Sequence, residues 1–339
     1  MKLVDIAKRL RISHSTVSRA LNPRKQHLIS EEVRQKIFRL VDEFHFVPRR
    51  PLTKYKRTIG IILPTVFHSV FFNEQLVKVL EGVYEILKKS LRYDCKILIF
   101  PKEGGVANLS REDFTDDIEG LLISSQCDHF ASQAHYLPMR LLQMWGRPVV
   151  VLNLEIRRGK NVSNVSFSNF DAAKKAVTHL IQRKNRQIAL IYGDKDFEDS
   201  LGRYEGYLQT LREHSIPINK AFIKQGNYSH ESGYEATVQL FNQKGPRPTA
   251  IFCTNDEMAI GAIWALEALQ IRCPQEVAVM GFDGLMLGDF IRPRLSTVTQ
   301  PLVEIAREGT QLLIDLIENR VKGPETKLVP SHLIIRESA

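Results

Sequence analysis

VDIAKRLRISHSTVSRALN, residues 4–22, places apolar side chains at helical spacing in two short segments separated by a break. The apolar residues are Val4, Ile6, Ala7 and Leu10 in the first segment and Val17, Ala20 and Leu21 in the second. This spacing predicts two short helices. Ser13 is suited to cap the second helix, and the small side chain of Ala7 lets the two helices approach closely. The pattern is typical of a helix-turn-helix.

The outer face of the second predicted helix is entirely polar. It carries His14, Ser15, Ser18, Arg19 and Asn22. Such a face suits the major groove of DNA, where we expect Arg19 to bond guanine and His14 and Ser15 to reach base edges. Hydroxyl groups that contact phosphates would position this helix without reading the base sequence. We expect these contacts from Ser13, Thr16 and Ser18.

The positive charge of the chain is concentrated at its start. The net charge is +9. Residues 1–57 carry 15 Lys and Arg against 5 Asp and Glu, a net +10, whereas the remaining residues carry 32 against 33, a net −1. A basic head on a neutral body indicates a polyanion-binding module joined to a different kind of domain. A solvated basic face is the alternative, against which the helix-turn-helix pattern argues.

A longer stretch of the N-terminus resembles a known family. VDIAKRLRISHSTVSRALN followed by SEEVRQKIFRLVDEFHFVP is similar to the head of the lactose/galactose repressor family of bacterial transcription regulators. That family has a third helix, which Ser30 would cap here ahead of EEVRQKIFRLVDEF. The segment between Asn22 and Ser30 is longer than is usual for the family, and we expect Arg24 or Lys25 to add phosphate contacts.

The body alternates short apolar runs with amphipathic segments, which predicts parallel sheets wrapped by helices. The pattern restarts near residue 162. The family resemblance implies a two-lobed, periplasmic-binding-protein-like α/β domain of type I, with the chain crossing three times between the lobes. We therefore expect an all-α helix-turn-helix domain, a hinge and an effector domain at residues 1–48, 49–57 and 58–339. The first lobe would hold residues 58–161 and 292–322, and the second residues 162–291 and 323–339.

The candidate effector site lies where the strands of both lobes end, because loops converge there in such folds. Arg203, Asn255 and Asp283 match family motifs, and the resemblance implies that they hydrogen-bond the hydroxyls or ring nitrogens of a small ligand. Asp256 is expected to cap a helix instead. Aromatic stacking and a weaker acidic contact complete the candidate set. These residues are Phe71, Phe72, Tyr228 and Asp171, with core packing as the alternative for Phe72.

The hinge combines proline with basic residues in FVPRRPLTKYKRTIG, residues 46–60. The family resemblance implies a short helix here with a leucine wedged into the minor groove, and Leu52 occupies that position. The segment is shorter than in the family, however, and Pro51 cannot lie inside a helix, so Leu52 packing on the body is the alternative. The basic residues are expected to contact phosphates. They are Arg49, Arg50, Lys54, Lys56 and Arg57.

Enzyme chemistry finds little support in the sequence. It lacks a phosphate-binding P-loop, a dinucleotide-binding glycine motif, a zinc-binding H-E-x-x-H and a nucleophile elbow. The four cysteines form no C-x-x-C pair, so we expect reduced thiols and neither a metal nor another cofactor. No apolar run is long enough to cross a membrane, and the charged N-terminus does not resemble an export signal, which predicts a cytoplasmic protein.

Together these observations predict a ligand-responsive transcription regulator, and specifically a repressor. It would bind a palindromic operator in double-stranded DNA as a homodimer. A small polar effector, namely a sugar, a sugar derivative or a purine, would bind between the lobes and shift their arrangement. Two alternatives share the body of this fold: a solute-binding receptor, which would have no use for the basic head, and a sugar-modifying enzyme, which would need a nucleophile or an acid/base pair.

Overall fold

The computed structural model describes residues 3–21, 28–44, 56–63, 70–90, 92–99, 117–124, 146–154, 162–194 and 198–339. Three helices form the N-terminal head: α1 (Leu3–Arg9), α2 (His14–Ala20) and α3 (Glu31–Glu43). Their shared core contains Ile6, Ala7, Val17, Ala20, Leu21, Ile37 and Val41. The predicted helix-turn-helix is therefore confirmed. Val4 differs from the expected core pattern, because its side chain is 44% exposed.

The first lobe is built on a parallel sheet. Its strands are β1 (Arg57–Leu63), β2 (Tyr93–Ile99), β3 (Ile118–Ser124), β4 (Val149–Leu152), β5 (Ser163–Ser166) and β11 (Thr326–Leu328), in the order β11-β5-β4-β3-β1-β2. Near-continuous apolar runs form these strands because helices cover a parallel sheet on both faces. The covering helices include α4 (Val70–Ser90) and α9 (Leu302–Ile317).

The second lobe repeats this plan. Its strands are β6 (Ile188–Tyr192), β7 (Ile223–Gln225), β8 (Ala250–Cys253), β9 (Ala278–Asp283), β10 (Ser296–Thr299) and β12 (His332–Ile334), in the order β12-β10-β9-β8-β6-β7. Only β12 runs antiparallel to its neighbour among the described strands. The helices are α5 (Asn169–Gln182), α6 (Glu198–Glu213), α7 (His230–Asn242) and α8 (Asp256–Ala268). The predicted two-lobed fold with parallel sheets is confirmed.

The division of the chain between the lobes differs from the prediction at three strands. β5 was expected to open the second lobe, but it pairs with β4 in the first sheet. β10 was expected in the first lobe and β11 in the second, whereas β10 pairs with β9 and β11 pairs with β5. The crossings therefore follow β5, β10 and β11. Each of these strands has only three or four residues, too few for a sequence pattern to reveal which sheet they join.

Helix α9 returns to the first lobe, as expected, and packs closely against α4. A Cβ atom at Gly82 of α4 would lie only 2.3 Å from the carbonyl oxygen of Val303. The missing side chain is therefore what lets the two helices touch. Within the described residues, no helix is long and apolar enough to cross a membrane.

We predict that Gly82→Ala lowers the free energy of unfolding by about 1–3 kcal/mol, because the added methyl group meets backbone that cannot yield easily. The higher helix propensity of alanine opposes this loss by less than about 1 kcal/mol. Glu81→Ala, at the exposed neighbouring position, is the matched control. Thermal and urea unfolding measure both variants, and equal midpoints for the two would contradict the predicted close contact.

Candidate functional site

Helix α2 directs its polar residues to solvent. His14, Ser15, Ser18 and Arg19 are exposed, while Val17 on the opposite face is fully buried. The helix therefore presents the face that the sequence assigned to DNA, with the Arg19 guanidinium in its last turn.

Ser13 caps helix α2. Its hydroxyl accepts a hydrogen bond from the backbone N–H of Thr16 at 3.0 Å and lies 2.7 Å from the hydroxyl of Ser15 and 2.8 Å from that of Thr16. The cap confirms the structural role predicted for Ser13. Phosphate contacts by these three hydroxyls stay a prediction.

Several predicted contacts lie outside the described residues. On the DNA side they are Asn22, Arg24, Lys25, Arg49, Arg50, Leu52 and Lys54. The backbone of Phe71 and Phe72 belongs to helix α4, but their side chains are not among the parts of the chain that the structure describes. These assignments stay predictions.

Lys56 and Arg57 do not extend from the hinge as free phosphate contacts. Lys56 Nζ lies 2.6 Å from a carboxylate oxygen of Asp94. Arg57 opens β1, donates from Nε to Glu119 at 2.6 Å, and donates from Nη1 to the hydroxyl of Tyr93 at 3.0 Å. Both charges are thus used at the base of the first lobe, which corrects the prediction made from their position in the basic segment.

Arg203 is the centre of a buried polar cluster at the ends of the second-lobe strands. Only 6% of the residue is exposed. Its Nε donates to Asn169 Oδ1 at 2.8 Å, and its Nη1 donates to the carbonyl oxygen of Thr254 at 2.6 Å and to Asp283 Oδ1 at 3.3 Å. The guanidinium carbon lies 3.9 Å from the ring centroid of Phe282. These contacts hold the cation in a fixed orientation.

Asp283 ends β9 with φ at 124°, a backbone conformation that favours glycine and stores strain in other residues. Gln300 donates to its Oδ1 and accepts from Asn153 Nδ2 at 3.0 Å, which links the site to the first lobe. The second carboxylate oxygen of Asp283, Oδ2, is buried and has no hydrogen-bond partner among the described residues. Burial raises the pKa of Asp283 to about 6, although the positive charge of Arg203 and the bond from Gln300 lower it.

Asp256 supports the loop that follows β9. Its Oδ1 accepts from the hydroxyl of Thr297 at 2.6 Å, and its Oδ2 accepts from the backbone N–H of Leu285 at 2.7 Å. Burial, followed by the negative charge of Asp283, raises the pKa of Asp256 well above its ordinary value. The prediction that Asp256 caps helix α8 is wrong, because its carboxylate points into this loop and away from the helix N-terminus.

Asn255 is the residue that caps α8. Its Oδ1 accepts from the backbone N–H of Met258 at 3.0 Å, and its Nδ2 donates to the carbonyl oxygen of Tyr228 at 2.8 Å. Only 3% of Asn255 is exposed. Both ends of the amide therefore have structural partners, and the effector contact expected from Asn255 stays a prediction.

Tyr228 and Asp171 occupy less central positions than expected. The Tyr228 ring fills the space beside Gly193, and its hydroxyl donates to the carbonyl oxygen of Asp194 at 3.2 Å. It thereby supports the loop after β6. Asp171 is exposed in the first turn of α5, where its backbone N–H donates to the Ser168 hydroxyl at 3.1 Å. Neither contacts Arg203 in the bonds described above, so their effector roles stay predictions.

Sequence reasoning missed three buried polar residues of the cluster. Asn169 joins Arg203 to Asp199, since its Nδ2 donates to Asp199 Oδ1 at 2.9 Å. Gln300 and Asn153 each follow a strand directly, the position that identified Asp283. Their place in TVTQP and VVVLN was therefore the available signal. Asn169 opens α5 three residues after β5 ends, so its place between a strand and a helix was a similar signal.

The chemistry of the site is that of recognition. The described residues include no group of His, Cys, Asp and Glu able to hold a metal ion. The cluster combines a fixed cation with a carboxylate that has one unused oxygen, a pairing that can donate to and accept from a polar ligand at the same time.

Comparisons with known proteins agree with this chemistry. Residues 2–49 match the model for bacterial regulatory proteins of the lacI family, and residues 177–339 match a periplasmic binding protein-like domain. The probable HTH-type transcriptional repressor ExuR of Bacillus subtilis (strain 168) is 32% identical over 98% of this chain and 97% of its own length.

Two solved structures extend the similarity to ligand complexes. A complex of the transcriptional regulator CelR with cellobiose is 25% identical, with a TM-score of 0.69 and complete coverage of both chains. A LacI family transcriptional regulator from Enterococcus faecium with bound ribose is 26% identical, with a TM-score of 0.67, and covers 83% of this chain and 98% of its own. The relatives are regulators, which confirms that this protein is not an enzyme and is a ligand-responsive DNA-binding regulator. The chain belongs to the lacI family of bacterial regulatory proteins.

Proposed function

We propose that this protein represses transcription by binding a palindromic operator as a homodimer, and that a sugar bound at Arg203 and Asp283 controls this binding. The observation that carries the proposal is the buried carboxylate of Asp283, which has one oxygen on Arg203 and Gln300 and the other without a hydrogen-bond partner among the described residues. A buried acceptor of this kind favours a ligand that donates a hydroxyl proton.

The choice of a sugar follows from the polarity of the cluster and from the relatives. Arg203 and Asp283 offer a donor and an acceptor side by side, and vicinal hydroxyls can satisfy both groups. Of the relatives reported above, one was solved with cellobiose and another with ribose. A solute receptor is disfavoured by the net +10 on residues 1–57, which a sugar-binding role does not require.

The loop after β9 connects Asp283 to the first lobe, so a ligand bound at Asp283 would affect that lobe through it. The carbonyl oxygen of Gly284 accepts from Lys78 Nζ at 3.2 Å, and the backbone N–H of Met286 donates to Glu74 at 3.0 Å. Glu74 and Lys78 belong to helix α4 of the first lobe. A ligand that binds Asp283 better in one lobe arrangement than in another therefore shifts the population toward that arrangement.

Exposed apolar side chains on both lobes support the homodimer. On the first lobe, Val77 and Tyr84 of α4 are each 62% exposed and lie seven residues apart, on one face of the helix. On the second lobe, Trp264 is 45% and Phe290 72% exposed. Exposed apolar groups that lie together, as Val77 and Tyr84 do along one helix face, favour a protein interaction surface. A dimer would carry two heads, whose spacing must match the half-sites of the operator.

We predict that Arg19→Ala weakens binding to the selected operator by about 10- to 100-fold, because a bidentate bond to guanine contributes about 1–3 kcal/mol. The operator is first identified by in vitro selection with the full-length protein, and fluorescence anisotropy then measures the affinity. Lys36→Ala removes an equal charge from the same head at a residue paired with Glu32, and serves as the control. If Arg19→Ala binds as tightly as Lys36→Ala, α2 is not the recognition helix.

A second prediction concerns the sugar. Asp283→Asn keeps the shape of the side chain but removes its charge, and we expect it to weaken sugar binding at least about tenfold while operator affinity is retained. Thermal shift against a panel of monosaccharides and disaccharides identifies the ligand, and calorimetry measures its affinity. Glu276→Gln, at an exposed acid on the same lobe, is the control. An Asp283→Asn protein that responds at the same sugar concentration would place the site elsewhere.

A third prediction concerns pH. The folded-state pKa of Asp283 is about 6, above the ordinary value of 3.8, so folding binds a proton that the unfolded chain releases. The contribution of this group to stability is complete below about pH 4 and is lost as pH rises through about 6. Asp283→Asn has no carboxyl group at this position, so its stability does not depend on this titration. We therefore expect the stability of the wild type relative to Asp283→Asn to fall between pH 4 and 7, by about 1.4 kcal/mol per unit of pKa difference. Urea unfolding of both proteins across this range measures it, and a constant difference would contradict the raised pKa.

A further inference from the structure

Helix α3 of the head lies against the base of the first lobe. The guanidinium carbon of Arg92, immediately before β2, is 4.5 Å from the ring centroid of Phe38. Beside this contact lies a cavity of about 140 Å³. This space is large enough for several water molecules, and hence for a small hydrated ion. None of its lining residues belongs to the cluster around Arg203.

The lining of this junction cavity is strongly cationic. The head contributes Glu31, Arg34, Gln35, Phe38 and Arg39, and the first lobe contributes Arg57, Arg92, Glu318 and Arg320. Five arginines thus face two glutamates. Guanidinium groups match phosphate and carboxylate oxygens in a bidentate geometry, so a cavity with this lining favours an anion.

Glu318 hydrogen-bonds only groups of the first lobe, although its charge also acts on Arg34 of the head. Arg92 and Arg320 of the first lobe lie 3.2 and 2.6 Å from its two oxygens, and the Tyr93 hydroxyl donates to it at 3.1 Å. Both carboxylate oxygens therefore bind groups of the lobe itself. Arg57 is paired with Glu119 and Arg320 also with Asp315, and both of these acids lie outside the lining.

The arginines of head and lobe repel each other across the cavity. Arg34 is paired with Glu31 on its own helix. Burial and the positive charge of Arg57 nevertheless lower the pKa of Arg34, and the charges of Glu119 and Glu318 offset this only in part. Like charges at short range in a partly buried site are unfavourable. An anion placed between them converts this repulsion into two attractions.

We propose that the junction cavity binds a phosphate group, either as inorganic phosphate or as part of a phosphorylated metabolite. Arg34 and Arg39 of the head and Arg320 of the first lobe hold it. Because the ligand takes donors from both sides of the hinge, it fixes the head against the lobe. His14, Ser15 and Arg19 are exposed in this arrangement, so a bound anion does not cover the recognition face.

Calorimetry and thermal unfolding of the full-length protein in inorganic phosphate, against chloride at equal ionic strength, test the proposal. We expect phosphate to raise the unfolding temperature and to bind with about tenfold weaker affinity in Arg34→Gln and in Arg320→Gln, each of which loses a charge-assisted hydrogen bond. Arg272→Gln, which removes an equal charge from the surface of the second lobe, should bind phosphate as the wild type does. Arg39→Gln replaces Arg34→Gln if the latter fails to fold, since Arg39 is exposed.

Equal stabilisation by phosphate and chloride, or an equal loss of affinity in Arg272→Gln, would overturn the proposal. Glucose 6-phosphate in place of inorganic phosphate distinguishes the two sources: tighter binding that still depends on Arg34 identifies a metabolite, and equal or weaker binding identifies the free ion. Asp283→Asn should retain the phosphate effect in full. Its loss in that variant would assign the anion to the sugar site and reject the junction cavity, whatever the outcome for the sugar itself.

Discussion

The ion pair of Arg203 and Asp283 is almost completely removed from water, with side chains only 7% and 0% exposed. Taking two charges out of water is costly, and apolar residues of the same volume often stabilise a protein as well or better. Removal of one partner from such a pair typically costs about 3–5 kcal/mol, because the other charge is left buried. The pair is therefore poorly explained by stability alone. The pair is hydrogen-bonded to Asn169 of α5, to Thr254 directly after β8 and to Gln300, which in turn binds Asn153 of the first lobe. These bonds instead keep a cation and an anion in place for a polar ligand.

One short segment of the site begins with a strained residue. Asp283 has a left-handed backbone, and the next three residues contact both Asp256 and helix α4. Asp256 is itself buried and holds this segment through the N–H of Leu285. Two carboxyl groups with raised pKa values thus fix this segment: Asp283 is its first residue, and Asp256 binds the N–H of Leu285 within it. A ligand that donates a hydrogen bond to Oδ2 of Asp283 would therefore act where this segment is held most firmly.

The sequence predicted the architecture well wherever one pattern admitted one structure. The two apolar runs of residues 4–22 permit little other than a helix-turn-helix, and the apolar strands of both sheets were recognised from their runs. β5 was assigned to the wrong lobe because four buried residues fit either sheet, and only pairing with β4 decides between them. The cap of α8 was assigned to Asp256 instead of Asn255 for a similar reason. Neighbouring polar residues at a helix start are both good caps, and the loop that binds Asp256 is distant in sequence.

The sequence predicted the polar cluster only in part, for the same reason. Arg203 and Asp283 stood at strand and loop ends and matched family motifs, whereas Asn169 stands at a helix start, where a polar residue is also expected for capping. The charge of the head was also visible in the sequence, but its distribution between DNA and the first lobe was not. Lys56 and Arg57 look like the rest of the basic segment, and only the positions of Asp94 and Glu119 on other strands separate them from it.

Helix α9 connects the two ends of the first lobe directly. It begins two residues after Gln300, which donates to Asp283, and it ends one residue before Glu318, which binds Arg92 and Arg320 beneath the head. Its 16 residues span about 24 Å at 1.5 Å per residue. A packed helix of this length moves as a rigid body, because its backbone bonds and its contact with α4 at Gly82 resist bending. A shift of Gln300 on binding of the proposed ligand would therefore be transmitted to Glu318, where the proposed anion would oppose or favour it. Because the proposed sugar site and the proposed anion site contact opposite ends of α9, ligands at both would influence the orientation of the head through the same helix.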